Sequence, residues 1–391
     1  METLSLNRPS SRLTRVGRFY LVVLAFVLGG AVIRDINLLL IVAGIMLGPL
    51  WISWRVVREM LRHVQVMRTH PSIISEGDRI HVQLTLTNLM RRRALWGITA
   101  KDHLRKLNPP PQVDSQGVQL LFPHVTPGQS SVEGYAGRIL ERGEYELGPL
   151  LLKTQFPMGL VESTLQSSQR QTLVVHPRVG VLSPSWSRTV SPLRIGTRTM
   201  RGRQAPSEGE FYGLRDFRLG DSRRWIHWRS SAKRRKLTVR QFQRWQNHDL
   251  ALIVELPADC EWIEQTIQFV ATVSRYQCRQ GHSRLLLSLG GEKVSIIRGM
   301  ASSGLFQDLM YHLAVVQASE QDTLPEALRL ASEHFAEDLR VLFISPREID
   351  IHDTERFSAA WDQVRLRPFL ARALKVQVGS AEFHKIYQES V

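Results

Sequence analysis

The residue types best suited to chemistry lie in one basic segment near the middle of the chain. Between Arg194 and Arg244 the sequence holds 15 lysines and arginines and four acidic residues, which is +11 of the formal net charge of +15. Cations interleaved with tryptophans can bind single-stranded nucleic acid by phosphate pairing and base stacking, and the same composition can lie on anionic lipid or on an acidic protein. The alternative is that the tryptophans pack in a core and the arginines pair with nearby acids or stay solvated.

Two parts of this segment predict different roles. Trp225, Ile226 and Trp228 are too apolar and too clustered for a solvated loop, so we expect some of them to pack the segment onto the domain that follows. The other part is a run of four cations without an apolar partner at their own positions: Lys233, Arg234, Arg235 and Lys236. We expect this run to be exposed and to contact an acidic partner or anionic lipid.

No enzyme signature accompanies these residues. The chain has no G-x-x-x-x-G-K-[ST] phosphate loop, no H-E-x-x-H metal motif and no G-x-S-x-G nucleophile turn. Its two cysteines, Cys260 and Cys278, form no C-x-x-C pair, so neither a zinc site nor a disulfide framework is indicated. We expect a non-enzymatic protein with no cofactor, no metal and no small-molecule substrate.

Two apolar runs near the N-terminus predict a membrane anchor. They are Phe19–Ile33 and Ile36–Trp54. A membrane span needs about 20 residues; the second run has this length, and the first is extended by Val16, Gly17 and a snorkelling arginine. The prediction is a transmembrane hairpin over residues 16–58. A buried hairpin and a cleaved signal peptide are the alternatives, but no small-x-small cleavage site follows the first run.

Arginines flank both ends of this hairpin, whereas the loop between the runs is neutral. The flanking residues are Arg8, Arg12, Arg15, Arg18, Arg55, Arg58 and Arg62. The positive-inside rule therefore places a basic N-terminus, residues 1–15, and the large soluble portion in the cytoplasm, with the hairpin in the inner (plasma) membrane.

The soluble portion divides into segments of different pattern. Residues 70–177 contain short strands, among them one over residues 80–86 in which apolar and polar side chains alternate, and they predict a small all-β sandwich. Residues 178–208 are rich in Ser, Arg, Pro and Gly and predict a mobile connection, which leads into the basic segment at 209–245. Residues 246–391 alternate buried strands with helices, which predicts a mainly parallel sheet in an α/β domain.

The run GEFYGLRDFRLGDSRRWIHWRSSAKRRKLTVRQF, residues 209–242, closely resembles the signature of the bacterial family called domain of unknown function 58. The matching residues are Gly209, Glu210, Phe211, Leu214, Arg215, Gly220, Asp221, Arg224, Ile226, Trp228, Ser231 and Ala232. Residues 142–149 resemble the family's R-G-x-Y-x-L-G-P element, and residues 156–160 its F-P-F-G-L element. Two N-terminal spans are also usual in the family, so the resemblance covers most of the chain.

This resemblance implies that the C-terminal domain is similar to a von Willebrand factor type A domain. In that fold a D-x-S-x-S motif after the first strand holds a divalent metal with carboxylate and hydroxyl oxygens. Here the matching stretch runs from Glu255 to Asp259 and lacks both serines. We therefore expect no metal at Glu255 and Asp259.

The resemblance also implies a class of partner, since such proteins commonly accompany AAA+ ATPases of the MoxR type. Our leading hypothesis is a membrane-anchored interaction or assembly-factor protein that acts with such an ATPase. The alternatives are a membrane-tethered nucleic-acid binder that uses the patch at 194–244, and a metal-dependent adhesion module. We expect nucleic acid not to be the partner, because no recognised binding module accompanies the patch.

Overall fold

The structure of the protein is a computed structural model that describes residues 2–107, 116–186, 210–218, 221–243, 249–281, 283–335, 339–350, 353, 356–357 and 373–389. The chain forms two compact units. The first comprises Met1–Arg178 with Met310–Val315, and the second comprises Val179–Leu309 with Val316–Val391.

Two antiparallel helices, α1 (Arg15–Arg34) and α2 (Asn37–Met60), form a hairpin near the N-terminus. Both are long and apolar enough to cross a membrane. The Thr14 side chain caps α1 by accepting a hydrogen bond from the Gly17 amide at 2.9 Å. The Tyr20 hydroxyl joins the two helices by donating to the Met46 carbonyl at 2.9 Å.

The described residues of the first unit also form twelve strands, most of them from the segment that the sequence predicted to be β structure. They are β1 (Glu2–Thr3), β2 (Ser10–Leu13), β3 (Val64–Thr69), β4 (Ile73–Ser75), β5 (Arg79–Asn88), β6 (Leu95–Lys106), β7 (Gln116–Val125), β8 (Ser130–Arg138), β9 (Gly143–Leu147), β10 (Leu151–Thr154), β11 (Val161–Gln166) and β12 (Gln171–His176). One sheet has the order β1-β3-β5-β8; the other has the order β2-β11-β10-β6-β9-β12-β4, with β7 paired to β6. A 3-10 turn, Leu61–His63, links α2 to β3.

The side chains of the two sheets share a core. In β5 the burial alternates strictly from residue 79 to residue 84, as the period-two pattern predicted. Leu84 and Leu86 from the first sheet pack with Ile98, Phe122 and Leu152 from the second. Because both sheets bury one face against the other, they form the two layers of a sandwich.

The residues that precede the hairpin supply two strands, which pair with strands that follow it in sequence. β1 pairs with β3, and β2 pairs with β11, both antiparallel. The basic N-terminus predicted over residues 1–15 is therefore part of the two sheets. Strands of two and four residues are too short to show a period of two in the sequence, so the sequence did not predict them.

The second unit contains the remaining strands and helices. The strands are β13 (Val181–Leu182), β14 (Glu210–Asp216), β15 (Thr238–Gln243), β16 (Leu250–Glu255), β17 (Arg284–Gly290), β18 (Val294–Met300), β19 (Arg340–Ser345), β20 (Leu374–Gln377) and β21 (Tyr387–Gln388). The helices are α3 (Trp228–Arg234), α4 (Ile263–Gln280), α5 (Ser303–Val315), α6 (Leu324–Ser332) and α7 (Phe383–Ile386), and the last residues of α5 belong to the first unit. A 3-10 turn spans Arg223–Trp225.

The five-stranded sheet of this unit has the order β18-β17-β16-β19-β20. Four strands run parallel, as the alternating pattern predicted, and β18 is an antiparallel edge strand. From β16 the chain passes to β17 on one side and later returns to β19 on the other side. The order therefore reverses between β16 and β19, and in open α/β sheets the crevice at such a reversal, at the carboxyl ends of the strands, is where ligands bind.

The start of the predicted mobile connection, 178–208, is packed in the structure. β13 pairs with β21, and Trp186 is only 1% exposed. Its ring lies edge-on to Phe269 of α4 at 5.5 Å between centroids. Residues 187–208 of this connection lie outside the described part of the chain.

Candidate functional site

The carboxyl edge of the parallel sheet holds a cluster of charged side chains. Glu255 ends β16 and is 1% exposed. Its Oε2 accepts a hydrogen bond from the Ser345 hydroxyl at 2.7 Å, which comes from the end of β19. Its Oε1 accepts from Arg347 Nε at 2.9 Å and from Arg356 Nη2 at 2.7 Å, and Arg347 Nη2 forms a further ion pair with it.

Asp322 completes this cluster on its more exposed side. It accepts from Arg356 Nε at 2.6 Å and from Arg356 Nη2 at 3.1 Å. Burial alone would raise the pKa of Asp322, but the hydrogen bond and charge of Arg356 lower it below its ordinary value. The hydrogen bond to Asp322 is the largest cause of the raised pKa of Arg356. The pKa of Arg347 is also raised, and its largest cause is the hydrogen bond to Glu255.

This arrangement pairs two carboxylates with two guanidinium groups. Both oxygens of Glu255 already accept hydrogen bonds from cations or a hydroxyl, so the guanidinium groups occupy the side of the carboxylate that a metal ion would need. Arginine stays protonated, so neither guanidinium group can act as a general acid or base near neutral pH. Asp259, the second residue of the predicted metal stretch, is exposed. Among the described residues, no group of three or more His, Cys, Asp and Glu side chains is arranged to hold a metal.

The signature segment folds into a small closed structure. β14 and β15 form an antiparallel hairpin, and its connection contains the 3-10 turn and α3. Arg215 and Asp221 form a bidentate pair, with both nitrogen-to-oxygen distances at 2.7 Å. The Arg218 amide also donates to Asp221 at 2.8 Å. The Arg215 hydrogen bond is the largest cause of the lowered pKa of Asp221.

A second set of contacts fixes α3 against β15. The Ser231 hydroxyl accepts a hydrogen bond from the Thr238 amide at 2.9 Å and donates to the His227 carbonyl at 3.1 Å. Ile226 is 8% exposed and forms a backbone bridge with Val239, which is 4% exposed. Four signature residues therefore stabilise the fold of the segment: Arg215, Asp221, Ile226 and Ser231.

Two further signature residues, together with Arg229 and the charged run, form an exposed surface, which we call the basic surface. It consists of Arg224, Trp228, Arg229, Lys233, Arg234, Arg235 and Lys236, all of which are exposed. Of the ion pairs among the described residues, none includes one of these cations. The surface combines exposed positive charge with an exposed indole ring.

Of the three apolar residues of which we expected some to pack, Trp228 is 67% exposed and Ile226 is 8% exposed. Ile226 takes the buried position instead, and α3 turns Trp228 toward solvent. The expected exposure of Lys233, Arg234, Arg235 and Lys236 agrees with the structure. Glu210, Phe211 and Leu214 lie in β14. Gly209 and Gly220 lie outside the described residues.

Sequence reasoning also missed the partners of Glu255. Arg347 and Arg356 follow it by 92 and 101 positions. Nothing in the sequence near Glu255 points to them. The available signal was that a carboxylate at the end of a fully apolar strand needs a buried cation or hydrogen-bond donors.

No protein-family model matches this chain, and no curated protein matches it significantly. Among solved structures, it is similar to the CARDB domain of the PF1109 protein from Pyrococcus furiosus, at 8% identity and a TM-score of 0.19 over 29% of this chain and 91% of that chain. The sporulation control protein Spo0M from Bacillus subtilis matches at 9% identity and a TM-score of 0.18, over 33% of this chain and 53% of that chain. The alkylpurine DNA glycosylase AlkC from Pseudomonas fluorescens matches at 13% identity and a TM-score of 0.21, over 39% of this chain and 42% of that chain. TM-scores this low establish no shared fold.

Proposed function

We propose that this chain is a non-enzymatic, membrane-anchored interaction protein that takes part in assembling a protein complex and binds its partner through the basic surface. The partner that we propose is an AAA+ ATPase of the MoxR type. The resemblance of residues 209–242 to the signature of domain of unknown function 58 supports this partner class. Guanidinium groups surround Glu255, and this arrangement fits a von Willebrand factor type A-like domain that works without metal.

The helical hairpin is the proposed anchor. Only 17% and 11% of the most apolar stretches of α1 and α2 are buried, as expected for side chains that face lipid and unlike a core hairpin. β1 and β2 precede the hairpin and β3 follows it, yet all three belong to the same pair of sheets. If both ends of the hairpin lie on the same side of a membrane, the strands before and after it can pair in these sheets. The flanking arginines favour the cytoplasmic side of the inner membrane.

The proposed binding role rests on one observation: Trp228 is exposed among exposed cations. Tryptophan and arginine are the residues most enriched at the energetic centres of protein interfaces. The Arg215–Asp221 pair and the Ser231 contacts hold this surface on a closed scaffold. A preformed surface loses little conformational entropy when a partner binds.

The test is capture of a MoxR-type ATPase of the same organism by the full chain in lipid nanodiscs. We expect Trp228→Ala to weaken capture at least tenfold, and serine at Lys233, Arg234, Arg235 and Lys236 to do so at low salt. The matched control replaces four exposed cations of the first unit by serine: Arg91, Arg92, Lys101 and Arg105. The proposal fails if the control weakens capture as much as the test variants, or if neither test variant does.

A nucleic acid is the second candidate, because an exposed indole beside cations also suits base stacking. Binding of labelled single-stranded DNA at 50 and 200 mM salt distinguishes the two. Phosphate contacts release counterions, so DNA affinity would fall steeply with salt and with loss of the four cations. Tight, salt-sensitive DNA binding that needs Trp228, without capture of the ATPase, would favour the nucleic-acid candidate.

A further inference from the structure

Three large apolar side chains lie exposed and close together on the first unit. Trp96, Phe156 and Met158 are 43%, 37% and 50% exposed. The rings of Trp96 and Phe156 stack, with 5.9 Å between centroids and 18° between planes. The Thr154 hydroxyl ties the two residues together, because it donates to the Trp96 carbonyl at 3.2 Å and accepts from the Phe156 amide at 3.4 Å. We call these three residues the apolar patch.

The loop that carries Phe156 and Met158 holds the start of α1, whereas Trp96 lies on β6. The Thr14 hydroxyl donates to the Gly159 carbonyl at 2.6 Å, and the Thr14 amide donates to the Leu160 carbonyl at 3.0 Å. Gly17 packs directly against the Leu160 carbonyl, where a Cβ atom would overlap it. Met158 adjoins Gly159, so its Cα lies about 4 Å from the residue that holds Thr14.

The length of α1 fixes the level of this loop relative to a bilayer. Twenty residues of helix are about 30 Å long, which equals the thickness of the hydrocarbon core. With α1 spanning that core, its first turn lies at the boundary between hydrocarbon and headgroups. Trp51 and Trp54 of α2 are exposed by 67% and 42% and belong to the aromatic belt at the same boundary. Each headgroup layer is about 5–8 Å deep, which is enough to hold a loop bonded to the helix end.

We infer that Trp96, Phe156 and Met158 are immersed in the headgroup layer and hold the sandwich in one orientation against the membrane surface. The inference rests on the proposed membrane anchor. Aromatic side chains favour this layer, and a partly immersed apolar patch adds buried area next to the anchor. Exposed Arg15 and Arg18 in the first turn of α1 would meet anionic headgroups beside the patch. The bilayer therefore covers apolar area that the described protein residues leave open.

A photo-crosslinking experiment on the full chain tests this placement. Benzoylphenylalanine replaces Met158, Ile45 or Val132 in separate proteins, each in nanodiscs of phosphatidylcholine and phosphatidylglycerol. Ile45 lies within α2 and reports on the anchor. Val132 lies on β8, is 56% exposed, and serves as an equally accessible apolar control. Lipid adducts are counted by intact-protein mass spectrometry after irradiation.

We expect lipid adducts at positions 45 and 158 and at least fivefold fewer at position 132. Trp96→Gln with Phe156→Gln should lower the adduct yield at position 158 several-fold, whereas Leu121→Gln should not. Adducts at position 45 without adducts at position 158 would overturn the inference and leave the anchor intact. A protein-protein cross-link at position 158 in place of lipid would overturn it in favour of a second copy. Absence of adducts at position 45 would refute the anchor, and the inference with it.

Discussion

Glu255 ends a fully buried strand, and two arginines from a distant part of the chain surround its carboxylate. A buried carboxylate is stable only while cations and hydrogen-bond donors compensate for its lost hydration. Removing one partner therefore leaves uncompensated charge, and this cost exceeds the net contribution of the pair.

Arg356→Ala should lower the free energy of unfolding by about 3 kcal/mol, the lower end for breaking a buried pair, because Arg347 remains. Adding Glu255→Gln should recover part of this loss, since the amide carries no charge. Urea denaturation of the full chain in detergent measures both. The control is Arg329→Ala in the exposed Arg329–Glu333 pair, which should cost about 0–1 kcal/mol. Equal effects of the two alanine variants would mean that the Glu255 cluster contributes no more to stability than an exposed ion pair does.

The Arg215–Asp221 pair gives the signature segment a dependence on pH. The hydrogen bond from Arg215 lowers the pKa of Asp221 from its ordinary value of 3.8. A carboxyl group whose pKa is lower in the folded state contributes its full stabilisation above its ordinary pKa. That contribution is lost as the pH falls below 3.8 and through the lowered pKa.

Hydrogen exchange of peptides that cover residues 213–224, corrected for intrinsic rates, should show this loss. Protection should fall as the pH drops from about 5 through this range. In Asp221→Asn, protection should be low throughout and should not change over the same range. A pH dependence that survives in Asp221→Asn would assign it to another carboxyl group.

At the scale of the element, α1 begins where a glycine lets it approach the sandwich. Gly17 is buried against the Leu160 carbonyl, whereas Gly29 on the same helix has nothing within 4 Å of the position that a Cβ would occupy. The backbone carbonyl cannot rotate away as a side chain could. A methyl group at residue 17 must therefore displace the helix from the loop.

Gly17→Ala should lower the thermal midpoint of the first unit and increase proteolysis at the loop over residues 155–160. Gly29→Ala is the matched control on the same helix. It should leave the midpoint unchanged or raise it slightly, because alanine favours helix by about 1 kcal/mol over glycine. If both variants behave alike, the contact between Gly17 and Leu160 does not hold the helix.

The elements differed in how far sequence could predict them. Run length identified both helices of the hairpin, and the period of two identified β5, because those signals are local. Which of Trp225, Ile226 and Trp228 is exposed could not be predicted, because this depends on how a seven-residue helix turns within a hairpin whose strands are more than 20 residues apart. The arginines at Glu255 depend on contacts across about 100 positions. The β2–β11 pairing spans about 150 positions. Neither leaves a local pattern.

On the scale of the whole molecule, the hairpin is inserted between strands of one sandwich. Deleting Met1–Trp54 would remove most of the proposed anchor, but it would also remove β1 and β2. The edges of β3 and β11 would then lose their partners, and unpaired edges promote aggregation. Part of the contact between Val57, Leu160 and Leu13 would be lost as well.

Replacing only the hairpin separates anchoring from folding. A flexible linker of about 12 Gly and Ser residues in place of residues 16–58 should join β2 to β3, because the ends of two packed helices lie about 10 Å apart. We expect this variant to be soluble and monodisperse after a salt wash, whereas the deletion of Met1–Trp54 should form aggregates. Sedimentation and size-exclusion chromatography compare the two. A linker variant that stays with washed membranes would show that the hairpin is not the main anchor. A monodisperse deletion variant would show that the sandwich does not need its N-terminal strands.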